Sequence, residues 1–238
     1  MNRILSFLIF FSIFFIIYFG MHFYVFTRMS TLLAINRSVL YYIIMAVMAL
    51  SFPAISMIER ANQSGISRAA YIGAGVWLGA LFFAFCALII YEIIRFIIKL
   101  DQRAAGITII IVVAAVVIYG IISAMTITVK QIEVPMPNLE KELTIVQLSD
   151  IHLGSVHNSE YMKRIVEKTN EINPDMVLIT GDLYDGSRKV SEEAITNLDN
   201  IKAKTFFTTG NHEQFQGVEE VLAQLKKTKV QILRNEVA

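Results

Sequence analysis

Apolar positions follow two regimes along the chain. As far as Thr128 they come in long unbroken runs, and beyond it in short runs separated by polar segments. Ile4 to Phe26, Val39 to Ile58, Tyr71 to Tyr91 and Gly106 to Thr128 contain no charged residue. Each has about the 20 apolar residues needed to cross a hydrocarbon core. The pattern therefore predicts a transmembrane region over 1–128 with four helices, at about 4–26, 39–58, 71–91 and 106–128. The first run exceeds a signal-peptide h-region and lacks a small-residue cleavage site after it, so it is read as a retained span. Pro53 is expected to kink the second span, and Gly75 with Gly79 to serve helix packing in the third.

After the last span, Pro135 and Pro137 favour an extended path, so residues 129–142 are read as a linker or a first edge strand. "LTIVQL", "DMVLIT" and "AKTFFTT" then read as short strands covered on both faces. Between them, a helix capped by Ser159 runs through Asn170 with Pro174 past its end, and a second spans Ser191 to Ile201. A third covers Gly217 to Lys227, before a last strand at Val230 to Leu233. Strand and helix in alternation mean a parallel sheet with right-handed crossovers.

Charge sharpens the division. Eight Lys/Arg and three Asp/Glu precede Val129, a net +5, whereas thirteen and seventeen follow, a net −4. The near-neutral total of +1 hides two unlike halves, and a mean hydropathy of +0.56 is that of a protein partly in lipid. No basic surface points to nucleic acid, and the single cysteine, Cys86, excludes a disulfide framework or a cysteine metal cluster. Four spans place the N-terminus and the polar half on one side. Arg28, Arg37, Arg95, Lys99 and Arg103 border one side, and Arg3, Arg60, Arg68 and Lys130 the other. The positive-inside rule thus leans by one charge towards an extracytoplasmic domain. No span carries a buried charge that would argue for an ion pathway; Glu92 and Asp101 are read as parts of a solvated loop.

In open α/β sheets ligands gather at the carboxyl ends of the strands. Three strands end there in polar clusters: "SDIHLG" with Asp150 and His152, "TGDLYD" with Asp182 and Asp185, and "TGNHE" with Asn211 and His212. Singly each is an ordinary turn or cap sequence. On one rim they converge as carboxylate, imidazole and amide donors, which suit Mn, Fe or Zn rather than calcium. Gly181 and Gly210 precede two of the groups and permit the turns that aim side chains inward. Asp182 is placed to bridge two ions of the kind that clamp attacking and leaving oxygens in phosphoryl transfer. His157 is expected to be solvent-exposed, and His22 to be an interfacial or bundle residue.

The ordered triple D-x-H, G-D-x-x-D and G-N-H-E resembles the calcineurin-like metallophosphoesterases. "QLSDIHLG" and "LITGDL" are most similar to the membrane-associated bacterial YkuE/YaeI-type branch. The resemblance implies an αββα sandwich, a phosphate-ester substrate and two divalent metal ions. Asp150 and His152 would bind the first metal, Asp182 would bridge, and Asn211 would bind the second. His212 would contact the phosphate and protonate the leaving group, Asp185 would act from behind the ligands, and Glu213 would support His212. A hydroxide held between the metals would attack phosphorus in line.

The family draws further histidine ligands from a Gly-His and a Gly-His-x-His segment, and no histidine follows His212. Residues 143–238 are therefore expected to be the first half of such a domain, with the second metal site incomplete. Two functions are carried forward. One is a membrane-anchored phosphodiesterase or pyrophosphatase, whose four spans make a lipid-linked substrate such as UDP-diacylglucosamine plausible. The other is a non-catalytic membrane protein with a degenerate metal- or partner-binding domain. The oligomeric state stays open.

Overall fold

A computed structural model describes residues 3–137 and 141–234. The chain divides into two compact units, residues 1–57 with 69–126, and residues 58–68 with 127–238.

The first unit is helical: α1 (Arg3–Leu32), α2 (Val39–Ala61), α3 (Gly65–Ile94) and α4 (Gln102–Met125), α2 and α3 being joined by a turn that belongs to the second unit. All four are long and apolar enough to cross a membrane. No more than 17% of the most apolar stretch of any of them is buried in the protein, so their surface calls for an apolar solvent. Their buried seam is made by Val25 and Leu32 of α1, Leu81, Leu88 and Tyr91 of α3, and Ile109 of α4. His22, 1% exposed, lies in this bundle with Nδ1 2.9 Å from the Tyr18 carbonyl.

Several expectations shift here. Both Gly75 and Gly79 have nothing within 4 Å of where a Cβ would stand. The close approach is instead at Gly106, where a Cβ would meet Leu33 Cδ2 at 2.9 Å and Leu32 Cβ at 3.1 Å. Glu92 is not a loop charge but lies in α3 and pairs with Arg28 and Arg95, whereas Asp101 stands exposed before α4 and caps it through the Ala104 amide at 2.7 Å. α4 ends at Met125 because the β-branched run Thr126 to Val129 prefers extended backbone.

In the second unit four parallel strands stand in the order β1 (Ile145–Leu148), β2 (Met176–Ile179), β3 (Lys204–Phe207), β4 (Gln231–Ile232). Described residues in 127–142 hold no strand, so the edge-strand alternative for that stretch is not realised there; residues 138–140 lie outside the described residues. Helix α5 (Ser159–Ile172) starts from Asn158 rather than Ser159, with the Asn158 side chain accepting from the Tyr161 amide. It buries Met162, Ile165, Val166 and Thr169, one face at helical spacing, and stops at Asn173 in the left-handed region before Pro174. Ser191 caps the short α6 (Glu192–Thr196), and a 3-10 turn follows at 197–200. After β3 come α7 (His212–Gln216) and α8 (Val218–Leu225).

Register aligns Leu148 with Ile179 and Ile179 with Phe207. One sheet face, Val146, Leu148, Val177, Ile179 and Phe207, packs into a core with Met162, Ile195, Leu198, Val221 and Leu225. The opposite face is not covered at β1, where Ile145 is 48% exposed. The continuous apolar runs therefore overstated burial: β1 stands at the sheet edge, with one face packed.

Candidate metal centre

The same register brings the three polar strand ends to a common rim. Beyond the strands the first two loops stay zipped by main-chain bonds: Asp150 N to Gly181 O at 3.3 Å, His152 N to Asp182 O at 3.0 Å, Leu153 N to Leu183 O at 2.7 Å, and Asp185 N to Leu153 O at 3.0 Å. Along this zipper Asp150, His152 and Asp182 take positive φ of 56°, 52° and 51°. Left-handed backbone is uncommon for residues with a Cβ and gathers where a site needs it. Three of the five non-glycine cases in the described residues fall on these ligand candidates.

Gly181, at φ +95°, stands against the third loop: a Cβ there would lie 2.7 Å from Gly210 Cα. A Cβ on Gly210 would in turn strike the amide and carboxylate of Asp182. Gly181 thus supplies both a positive-φ turn and a close backbone approach, and Gly210 the close approach.

His152, Asp182 and His212 each offer a donor atom, all within 4.8 Å of one another. The two imidazoles meet edge to face at 4.5 Å between centroids. Tetrahedral donors on one ion stand about 3.4 Å apart, so an adjustment of about an ångström lets His152 and Asp182 share an ion, with His212 beside them. Imidazole and carboxylate are donors that suit Zn, Mn or Fe. Asp182 Oδ1 accepts the His212 amide at 2.8 Å, which ties the second loop to the first turn of α7. His212 Nδ1 lies 3.1 Å from the Asp185 carbonyl. A carbonyl only accepts, so Nδ1 carries the proton and Nε2 presents its lone pair.

The other expected residues are distributed around this trio. Asp150 is largely exposed, with Oδ1 3.7 Å from His152 Nε2. Asn211 stands at the N-terminus of α7, exposed and with no side-chain cap bond. Asp185 turns its carboxylate to Ser187, whose Oγ is 2.7 Å away. Glu213 is fully buried and accepts three main-chain amides, from Gly210 at 2.7 Å, Asp182 at 3.1 Å and Tyr184 at 3.2 Å. It makes no hydrogen bond to the His212 ring among these. His157 is not freely exposed: its ring stacks on Tyr161 at 4.0 Å and Nδ1 lies 2.7 Å from the Ile151 carbonyl.

The family model described as calcineurin-like phosphoesterase matches residues 143–236. These residues form a calcineurin-like phosphoesterase domain. Its relatives include a metallophosphoesterase of Campylobacter jejuni, 40% identical over 131 residues, which are 53% of this chain and 35% of the relative. A Helicobacter pylori metallophosphoesterase is 38% identical over 110 residues, 45% of this chain and 30% of the relative. The transmembrane protein with metallophosphoesterase domain of Danio rerio is 36% identical over 111 residues, 44% of this chain and 25% of its own. The chain thus matches about a third or less of the length of these curated relatives. No solved structure matches it.

Two features of the phosphoesterase domain escaped the sequence reading. Helix α7, only five residues long, carries no periodic signal, yet it delivers both His212 and Glu213. Tyr184, fully buried, donates from its hydroxyl to Gln224 at 3.0 Å. Burial, reinforced by the charges of Glu213 and Glu220, pushes its phenol well above the usual tyrosine range.

Proposed function

We propose that this chain is a membrane-held, metal-dependent phosphoesterase that hydrolyses a phosphodiester or pyrophosphate bond. The observation that carries the proposal is the convergence of His152, Asp182 and His212 on one rim, with left-handed backbone at Asp150, His152 and Asp182. Asp150, His152 and Asp182 would hold a divalent ion, and Asn211, unoccupied as a cap, would serve a second. Such ions supply Lewis-acid stabilisation of charge on phosphoryl oxygens. His212, with Nδ1–H held by the Asp185 carbonyl, presents Nε2 to the substrate and passes a proton to the leaving oxygen from its doubly protonated form.

Four apolar helices support a location in a cell membrane, and with it a lipid-linked substrate, UDP-diacylglucosamine being one of that kind. The extracytoplasmic side is favoured only by the one-charge excess in the flanking loops.

The test is manganese-dependent hydrolysis of bis-p-nitrophenyl phosphate by the full chain in detergent, with manganese affinity measured in parallel. Asp182→Asn is expected to lower both affinity and turnover, and His212→Ala to lower turnover by about 10² or more. Parent-like turnover in both variants would show the site assignment to be wrong. Manganese binding without hydrolysis in the parent would replace the enzyme with a metal-binding module.

A further inference from the structure

We propose that Glu59, in the last turn of α2, is a positioning residue for the phosphoesterase site: it locks together the loops that carry His152 and Asp182. The metal arm of this inference rests on the proposed function.

The Glu59 side chain is 1% exposed. A carboxylate removed from water is costly unless it is paired and hydrogen-bonded, and this one is. Oε1 accepts from Ser155 Oγ at 2.8 Å and faces Arg188 Nη1 at 3.3 Å, while Oε2 accepts from Ser67 Oγ at 2.5 Å. Ser155 follows His152 by three residues in the first loop, and Arg188 follows Asp182 by six in the second. One buried carboxylate therefore holds a side chain from each loop.

Its neighbours, Arg60 at the end of α2 and Arg68 at the start of α3, reach the same two loops. Arg68 donates to the Ser155 carbonyl at 2.6 Å and to the Val156 carbonyl at 3.2 Å, and Arg60 donates to the Gly186 carbonyl at 3.3 Å. The loops are also linked directly, since Ser187 Oγ lies 3.1 Å from Ser155 Oγ and 2.7 Å from the Asp185 carboxylate. Contacts run from Glu59 through Ser155 and Ser187 to Asp185, whose carbonyl orients the His212 ring. Groups behind metal ligands set the ligands' orientation, and losing one typically weakens metal binding 10- to 100-fold. In a chain with four spans, the α2–α3 turn and the segment after α4 emerge on the same side of the membrane, so the topology permits this bond pattern.

The experiment compares the full chain with Glu59→Ala and Glu59→Gln in detergent, by manganese calorimetry and by hydrogen exchange. Glu59→Ala is expected to weaken manganese binding about tenfold or more and to speed exchange over residues 153–157 and 186–190. Glu59→Gln keeps an acceptor oxygen without the charge that faces Arg188, and is expected to fall between. Glu220→Ala, which removes an exposed ion pair with Lys189, should move neither readout. A merely structural role would lower the unfolding midpoint and leave the affinity of the folded protein unchanged. Should Glu59→Ala fail to fold, Ser155→Ala, which removes one hydroxyl contact, carries the same expectation at about fivefold. Parent-like affinity in these variants, or unchanged exchange in the two loops, overturns the inference. A parent chain that takes up no manganese overturns the proposed function instead, and the exchange comparison then decides the lock by itself.

Discussion

Replacing Glu213 by alanine should open the rim of the sheet. Its carboxylate, fully buried, accepts the amides of Gly210, Asp182 and Tyr184, and so ties the third loop to the second beside Asp182. An amide bonded to a charged acceptor is worth about 1.5–3 kcal/mol when buried. Counting the buried Tyr184 amide in full at about 2 kcal/mol, and the half-buried Asp182 and Gly210 amides at about 1 kcal/mol each, gives a loss of about 4 kcal/mol. That is roughly a thousandfold in a local opening equilibrium, yet below the 5–15 kcal/mol typical of a whole domain. The variant should therefore stay folded while its rim frays. Hydrogen exchange on the full chain reads this directly: protection over residues 181–185 and 209–212 should fall by about 10³, with residues 162–169 of α5 little changed. Glu213→Gln retains one acceptor oxygen and should lose about half as much on a logarithmic scale. Protection within threefold of the parent in Glu213→Ala would refute the reasoning, because it would mean the three amides find other partners at no cost.

Alkaline pH offers a second check. Burial raises the Tyr184 phenol in the folded domain, so its share of stability is complete below the unfolded value near pH 10 and is lost as pH climbs from there towards the raised folded value. Chemical denaturation between pH 9 and 11.5 should show a falling stability whose slope is smaller in Tyr184→Phe. In the helical unit two glycines should behave oppositely. Gly106→Ala forces a Cβ against Leu32 and Leu33 and should cost about 1–3 kcal/mol. Gly75→Ala meets open space in a helix interior and should stabilise by up to about 1 kcal/mol. Thermal unfolding in detergent separates the two.

Legibility in the sequence followed the range of the forces involved. The four apolar helices were readable because an apolar run is a one-dimensional signal; α1, α2 and α3 extend past their runs, whereas α4 stops three residues short of its own, at a β-branched stretch. The strands were readable for the same reason, though their burial was not: nothing in "LTIVQL" tells that its strand lies at the edge with Ile145 exposed. Packing glycines were misread because a G-x-x-x-G spacing says how close a neighbour could come, whereas only the assembled bundle says whether one does. The charge balance of the flanking loops carried a similar blind spot. Arg60 and Arg68 were counted as membrane-edge charges, yet both donate to carbonyls of the phosphoesterase domain, so their placement has a structural cause besides topology.

The sequence by itself determined the ingredients of this protein: four apolar segments, a parallel α/β unit, and three clusters of hard donors at successive strand ends. Those follow from local propensity and hydrophobic period, which each segment carries alone. Tertiary structure decided how the donors meet. It put His212 beside His152 and Asp182, turned Asp185 towards Ser187, set Glu213 under three amides, and gave Glu59, from the other half of the sequence, a place behind the first two loops. Such pairings depend on strand register and on left-handed turns that the surrounding main-chain bonds hold in place. They arise between residues up to 129 positions apart, a distance over which no sequence period can speak.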